Sequence, residues 1–533
     1  MSLLSISTRL GSFLLGSVLL APAAGATDWY VNAVSGSDLF DGRTPGTAWA
    51  TLTHAFGSIS FAPTGVETLH VAPGRYDATL GEQFPLTVHP RLRVVGDAGG
   101  SLPLLDAGGF NHFIFASTPV TRYEYDENTS LERLHLVNGT TAVEVLTNWG
   151  ACAPRLAHLE IEGMAQTAVF VTGWDTNALA NPLIEALSIH DCVRGMIVRT
   201  WSSGALVADS HARIHDTTIT RSAVDALLLD AYGGDVTVEL LRSRLLHSGG
   251  NGVKTNTQLA GGHAALIARA SLIAHNADSG VRGVLSPGAL TTALFDLQGC
   301  TVAHNTMYGV QTMKSAWGWQ TANLSNCIVA GNGHDLVCAG VLSASYTLCQ
   351  DGKLGGQPRC IGGDPRFANP TLDDFRLRFD SPCLDAGDPA LVRDEDLAGR
   401  LRDVDGNLDL AHAVDIGALE FEPLHLSGTP SLGQPFALEL WGESGGHATL
   451  LAARGGLCAP LHTTFGDFLL VPARAYVVGA YPVAPGRPTL VHGFLPDDPM
   501  LLGRTWSFQA LTDSSLGFKG RAYTNGVEFT LQP

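Results

Sequence analysis

Apolar and polar residues follow one another in short bursts along this chain, and the bursts recur. ASLIAHNADSGVRGV from Ala270, GCTVAHNTMYGVQTM from Gly299 and NCIVAGNGHDLV from Asn326 share one plan. A small or turn-forming residue opens a short apolar run, the run ends in His-Asn or Gly-Asn, and in the first two Gly-Val follows four residues after the Asn. With the last residue of that polar pair as anchor, Asn138, Met164, Asp191, Ser222, Ser248, Asn276, Asn305 and Asn332 line up. The steps between them are 26, 27, 31, 26, 28, 29 and 27 residues. A period in that range marks a solenoid or a propeller.

Inside each repeat the apolar runs are strand-length and separated by one or two turn residues, as in AALIA, SLIAH and GVRGV after Gly262. Helical periodicity is absent, and the repeat is too short for a propeller blade of about 40 residues. Three short strands per repeat predict an all-β fold, a right-handed parallel β-helix. Successive coils pair at about 4.8 Å, and equivalent side chains stack in columns over a continuous apolar core. One column reads Thr217, Ser243, Ser271, Cys300 and Cys327, all small. Cys300 and Cys327 would point the same way, which favours two stacked thiols over a disulfide.

Composition narrows the class. The 533 residues carry a formal net charge of -18, 45% hydrophobic residues and 61 glycines. That acidity argues against a nucleic-acid partner, which would require basic stripes. The first 26 residues read as a secretory leader: Arg9, then FLLGSVLLAPA, then a small-residue site ending at Ala26. No later apolar run is long enough to span a membrane, so the expectation is a secreted or cell-surface monomer. Nine cysteines permit disulfides in such a compartment, with Cys338, Cys349, Cys360 and Cys383 the expected partners.

The opening DWYVNAVSGSDLFDGRTPGTAWATLTHAF resembles that of secreted pectate-lyase-like β-helix proteins. The stretch that follows, with VAPGRY at Val71–Tyr76 and the GEQFPL pattern from Gly81 to Gly96, resembles the uncharacterised domain DUF1565. The resemblance implies a parallel β-helix, usually on an exported bacterial protein, with no activity established for the domain. RDVDGNLDLAHAVDIGALEF resembles the segment that closes the solenoid in many such proteins. The expected organisation is a leader over 1–26, a cap and first coils over 27–115, the β-helix over 116–422 and a β-sandwich module over 423–533.

Candidate chemistry is sparse. His190, His247, His275 and His304 each stand beside an anchor and could share a column, but zinc sites gather convergent ligands. Ladder and turn roles suit the pairs better. On the strand after the recurring Gly, alternation puts Ile197/Arg199, Leu228/Asp230, Lys254/Asn256, Arg282/Val284 and Gln311/Met313 on the outer face. Asp230, Lys254 and Arg282 then share an exposed face, with Trp201, Tyr232, Trp317 and Trp319 at its edge. Aromatic rings stack on sugars, and Arg and Lys pair with uronate carboxylates. In the β-helix polysaccharide lyases this face holds the active site, with calcium carboxylates and a basic residue. By that resemblance Asp230, Lys254 and Arg282 would be catalytic here, although Asp230 is the one acid among them. Asp225 and Asp230 bracket one strand without clearly facing the same way.

The expected metal set is none, with calcium the ion a lyase would bring. DVDGNLD over Asp403–Asp409 imitates a calcium loop but has Leu408 where an EF-hand needs Gly, so a polar turn is expected. GxSxG, HExxH, P-loop and GxGxxG motifs find no convincing context. The leading expectation is a non-enzymatic exported or surface protein that presents a long face to a polysaccharide or another surface ligand. The alternative is a polysaccharide lyase or glycosidase acting on an acidic polysaccharide. A bare structural spacer is a third, and it would show no aromatic clustering once folded.

Overall fold

A computed structural model describes residues 27–61, 65–174, 178–202, 208–286, 290–443, 445–514 and 517–531. The leader expected over 1–26 lies outside them. The chain winds repeatedly through three parallel sheets, here A, B and C in the order it visits them. Among the described residues they hold fourteen, eleven and ten strands. Sheet A runs from Thr27–Val31 to Val341–Ser345, sheet B from Arg75–Tyr76 to Leu348–Cys349 and sheet C from Leu86–Thr87 to His334–Cys338. The parallel β-solenoid expected from the period is therefore the fold. A short helix, Leu52–Ser58, covers its first coils and buries Leu52, Ala55 and Phe56. Its free N-terminal amides on Leu52 and Thr53 donate to the buried Glu82 carboxylate at 2.7 and 2.8 Å, which suits the positive end of a helix.

Two sharp bends shape every coil. Between sheets A and B one residue adopts a left-handed backbone, for example Arg242, Ala270, Gly299 and Asn326. The small column follows: the Ser243 and Ser271 hydroxyls each donate to the carbonyl two residues back, at 2.8 Å. Ser271 Oγ also accepts the Ser243 amide of the coil before, at 3.1 Å. A larger side chain would lose both bonds. Cys300 and Cys327 continue this column as fully buried free thiols.

Between sheets B and C the left-handed residues are His247, His275, His304 and Gly331. Behind them runs an amide ladder: Asn276 Nδ2 donates to Asn305 Oδ1 and Asn305 Nδ2 to Asn332 Oδ1, both at 2.9 Å. The recurring Gly four residues on has a steric cause. A Cβ on Gly252, Gly280 or Gly309 would fall 2.3, 2.4 or 2.7 Å from Ile273, Val302 or Val329.

Three expectations need correction. His190 does not join the histidine column. Strand register aligns it with Thr220 and Leu246, one residue earlier, and it contacts Asp191 at 3.0 Å instead. Asn138 and Asp191 likewise stand one residue before the anchor position, because in both coils the turn from sheet B to sheet C is one residue shorter than in the neighbouring coil. Second, all nine cysteines are free; Cys349 and Cys383 are buried, and Cys338 and Cys360 are partly so. Third, the DIGALEF segment lies against the flank of the solenoid. Outward positions of the last sheet B strands are apolar (Leu272, Ala303, Ile328 and Leu348), and they form a second core with Phe367, Phe375, Ile416 and Phe421. Apolar surface facing outward needs a cover, and this segment supplies it. A buried Arg402–Glu420 ion pair of 2.7 Å fixes the cover.

Beyond Pro423 two antiparallel sheets of three and five strands enclose a further core that includes Leu438, Leu450, Phe508 and Phe529. Arg376 Nη1, in the hairpin before them, donates to Glu439 at 2.9 Å.

Candidate functional site: the outer face of sheet C

Register fixes three outward columns on sheet C. The first carries Glu144, Phe170, Ile197, Leu228, Lys254, Arg282 and Gln311 on successive coils. The second carries Thr172, Arg199, Asp230, Asn256 and Val284. The third, where the strands run out toward sheet A, carries Trp174, Trp201, Tyr232 and Gln258. The alternation expected from sequence holds from Ile197 through Gln311. Met313 falls just past the end of its strand, Tyr308–Thr312.

Lys254 and Arg282 are direct neighbours in the first column. Arg282 Nη1 is bonded to Asp278 at 2.6 Å; among the described residues Lys254 has no ion-pair partner. Asp230 lies in the second column and is 6% exposed. Its carboxylate accepts from Arg199 Nε at 2.8 Å, Asn256 Nδ2 at 3.0 Å and Gln258 Nε2 at 3.3 Å. Asp225 is buried separately and accepts the Asn251 side-chain amide at 2.7 Å. The two acids do not face each other across a free cleft.

The aromatic edge is real and has a different form from the one expected. Trp201 and Tyr232 stack at 4.2 Å with 5° between ring planes, and Trp174 lies 6.2 Å from Trp201 at 29°. The rings cover one another's faces and present their edges outward. Trp317 and Trp319 sit further along the same corner, both exposed, with no other ring against them among the described residues.

Beside this ladder is a groove of about 340 Å³ on the N-terminal coils of sheet C, lined by Glu144, Gln166, Phe170, Arg194, Ile197 and Arg199 among others. The Arg199 guanidinium lies over the Phe170 ring, 5.5 Å from its centre, a stabilising arrangement for a cation on a π face. Arg194 Nε is buried without a partner. Burial lifts the Glu144 carboxyl above its ordinary range. A half-buried carboxyl, an unsatisfied guanidinium and an aromatic floor together offer donors, an acceptor and apolar area to one ring-sized guest.

Sequence inspection passed over Glu144, Phe170, Gln166 and Arg194. The signal was present: the outward rule applied after Gly195 also holds after Ala142 and Ala168, where it yields Glu144 and Phe170.

In the DVDGNLD loop, the Asp405 carboxylate accepts the amides of Asp409 and Leu410 at 3.0 and 2.8 Å, and Asp385 accepts that of Asn407 at 2.9 Å. These carboxylates accept backbone amides of the loop itself, which is the hydrogen bonding of a polar turn. The histidine column is likewise engaged. His247 and His275 stack at 5.1 Å; His247 Nε2 meets Asp373 at 2.8 Å and His275 Nε2 the Pro370 carbonyl at 2.7 Å.

A family model described as "Protein of unknown function (DUF1565)" matches residues 34–103, the region whose motifs carry the resemblance. No curated protein matches the chain. Among solved structures it is similar to a rhamnogalacturonan lyase, with 13% identity over 71% of this chain and 96% of that one, TM-score 0.38. It is also similar to a GH136 lacto-N-biosidase from Eubacterium ramulus, with 10% identity over 60% and 67%, TM-score 0.36. A third is tailspike protein 2 of Escherichia coli O157:H7 bacteriophage CAB120, with 9% identity over 87% and 64%, TM-score 0.35.

Proposed function

We propose that this is an exported, surface-acting protein that holds an acidic polysaccharide along the outer face of sheet C without cleaving it. The observation that carries the reading is the groove at Glu144, Phe170, Arg194 and Arg199, with Lys254 and Arg282 further along the same face. Arg194 and Lys254 are the cations there with no ion-pair partner among the described residues, and a guanidinium beside an aromatic floor suits a sugar ring that bears a carboxylate. Hydrolysis needs two free carboxyl groups flanking the bond, and both Asp225 and Asp230 are buried in internal hydrogen bonds. The stacked Trp174–Trp201–Tyr232 ladder is the aromatic clustering that a bare spacer would lack.

One observation favours the alternative, cleavage by a lyase or hydrolase. The Glu144 carboxyl, lifted by burial within the groove, has the character of a general acid. Electrophoresis of the full chain through gels containing polygalacturonate, alginate or a neutral glucan separates the readings when the same mixtures are followed for unsaturated-sugar absorbance and reducing ends. Retardation by a uronate polymer with no product supports binding. Product that disappears in Glu144→Gln supports the alternative, and no retardation by any polymer sinks both.

A further inference from the structure

Free positive charge on the outer face of sheet C is spaced rather than continuous. Arg194 begins the strand that carries Ile197 in the first column, and its side chain lines the groove beside Ile197. Its Nε is buried without a partner. The next coil offers Leu228, and the acid beside it, Asp230, is already matched by Arg199 at 2.8 Å. One coil further stands Lys254, which has no ion-pair partner among the described residues. Arg282 follows, and Asp278 meets its charge at 2.6 Å. Unpaired cations therefore alternate with coils that carry none. Along the axis Arg194 and Lys254 stand two coils apart, about 10 Å at the usual strand spacing.

The coil after Lys254 is polar in another way. Arg282 Nε is buried without a partner, and so is Gln311 Oε1 on the coil that follows. A spare donor beside a spare acceptor matches a hydroxyl, which gives one hydrogen bond and receives another. A carboxylate suits this pair poorly. Asp278 already neutralises the guanidinium, and two acceptor oxygens cannot bond each other.

We propose that sheet C selects a polysaccharide in which uronate and neutral sugars alternate. The inference rests on the reading that this face holds an acidic polymer, and it specifies the kind. An extended sugar chain advances by one coil spacing, about 4.8 Å, per unit, so successive sugars fall on successive coils. The uronate that rests on Phe170 meets Arg194, its neighbour crosses Leu228, and the second uronate meets Lys254. The fourth sugar lies at Arg282 and Gln311 and is neutral again. A polymer acidic at every unit would set one carboxylate over Leu228, where nothing compensates its lost water. It would set another beside Asp278, where like charges repel. A polymer without acids would leave Arg194 and Lys254 without a counter-charge.

Calorimetric titration of the full chain with three tetrasaccharides tests the proposal. They are an alternating glucuronate–N-acetylglucosamine chain, a tetragalacturonate and a neutral tetraglucoside. The alternating chain is expected to bind at least about tenfold more tightly than tetragalacturonate, the effect of one misplaced charge, and the tetraglucoside weakest of all. Leu228→Lys puts a cation on the coil that lacks one and is expected to move the preference to tetragalacturonate. Leu228→Gln, polar but uncharged, is expected to keep the wild-type order. Circular dichroism confirms that the variants are folded.

A wild type that binds tetragalacturonate or the tetraglucoside as tightly as the alternating chain overturns the proposal. So does a Leu228→Lys variant whose preference is unchanged, or a Leu228→Gln variant that switches as the lysine does. Tetragalacturonate bound in preference to the alternating chain sinks this inference and leaves the acidic-polysaccharide reading standing. Neither acidic tetrasaccharide bound sinks both, so the two failures are distinguishable.

Discussion

Arg199 and Asp230 stand on adjacent coils of sheet C, 2.8 Å apart, and Asn256 and Gln258 on the next coil complete the hydrogen bonding of the same carboxylate. Four polar side chains on the outer face thus form one network around a nearly buried acid. Asp230 acts as the keystone that orients Arg199 over Phe170. Asp230→Ala strands a partly exposed guanidinium and two amide donors, and should cost about 1–3 kcal/mol in urea unfolding once solvent screening of Arg199 is allowed for. It should also weaken binding at the groove without Asp230 touching the ligand. Unchanged stability together with unchanged binding would remove the network from the account.

The amide ladder carries a larger structural load. Asn305 is 1% exposed, donates to Asn332 and to the Ile273 carbonyl, and accepts from Asn276. Asn305→Ala leaves several buried groups without partners, each worth about 1–3 kcal/mol. Urea unfolding should show a loss of at least about 2 kcal/mol, with no change in any glycan affinity. Asn305→Asp should be worse, because it replaces a donor with a buried charge.

Thiol chemistry gives an independent check on the register. Native protein should react with an aromatic disulfide reagent at no more than Cys338, Cys360 and Cys458, the three partly exposed thiols. All nine should react in denaturant. Burial pushes Cys152, Cys192, Cys327, Cys349 and Cys383 up, Cys192 to about 11, and Cys300 is fully buried, so all six should be inert while folded. Fewer than nine thiols after denaturation without reductant would mean that disulfides exist.

The flank-covering segment has a pH dependence of defined sign. Burial, with the nearby Asp405 and Asp409 charges, pushes Asp385 up to about 6, and burial pushes Asp415 up to about 7. An acid whose folded pKa is raised binds its proton more tightly in the native state. Its ionisation therefore erodes stability as pH rises from about 4 through those values. The buried His89 and His112, pushed down to about 4, act in the opposite direction: their stability is present above about 6.5 and lost as pH falls. Comparing variant with wild type isolates the acid. Asp385→Asn should raise Tm relative to wild type more at pH 8 than at pH 4.5. An equal shift at both pH values would contradict the assignment.

Period and alternation were legible in the residues because both are imposed by the coil. Gly280 and Gly309 recur because a Cβ would strike Val302 and Val329, and Asn276, Asn305 and Asn332 recur because each bonds the next. His190 falls one position early because the turn from His190 to Met196 is one residue shorter than the turn from Thr220 to Leu227, so counting back from the Gly slips where pairing does not. The flank cover was not legible, since outward apolar residues such as Ile328 look identical in sequence to inward ones such as Val329. At the site, Lys254 and Arg282 were found by alternation. The burial of Asp230 and the stacking of Trp201 on Tyr232 depend on rotamers and on neighbouring coils, which a single strand does not encode.

The most direct test of the central claim is a calorimetric titration of the full chain with the oligouronate that gel retardation selects, on wild type, Arg194→Ala and Phe170→Ala. The account predicts saturable binding by the wild type, at least about tenfold weaker in each variant, with circular dichroism unchanged. Wild-type affinity retained in both variants would contradict it.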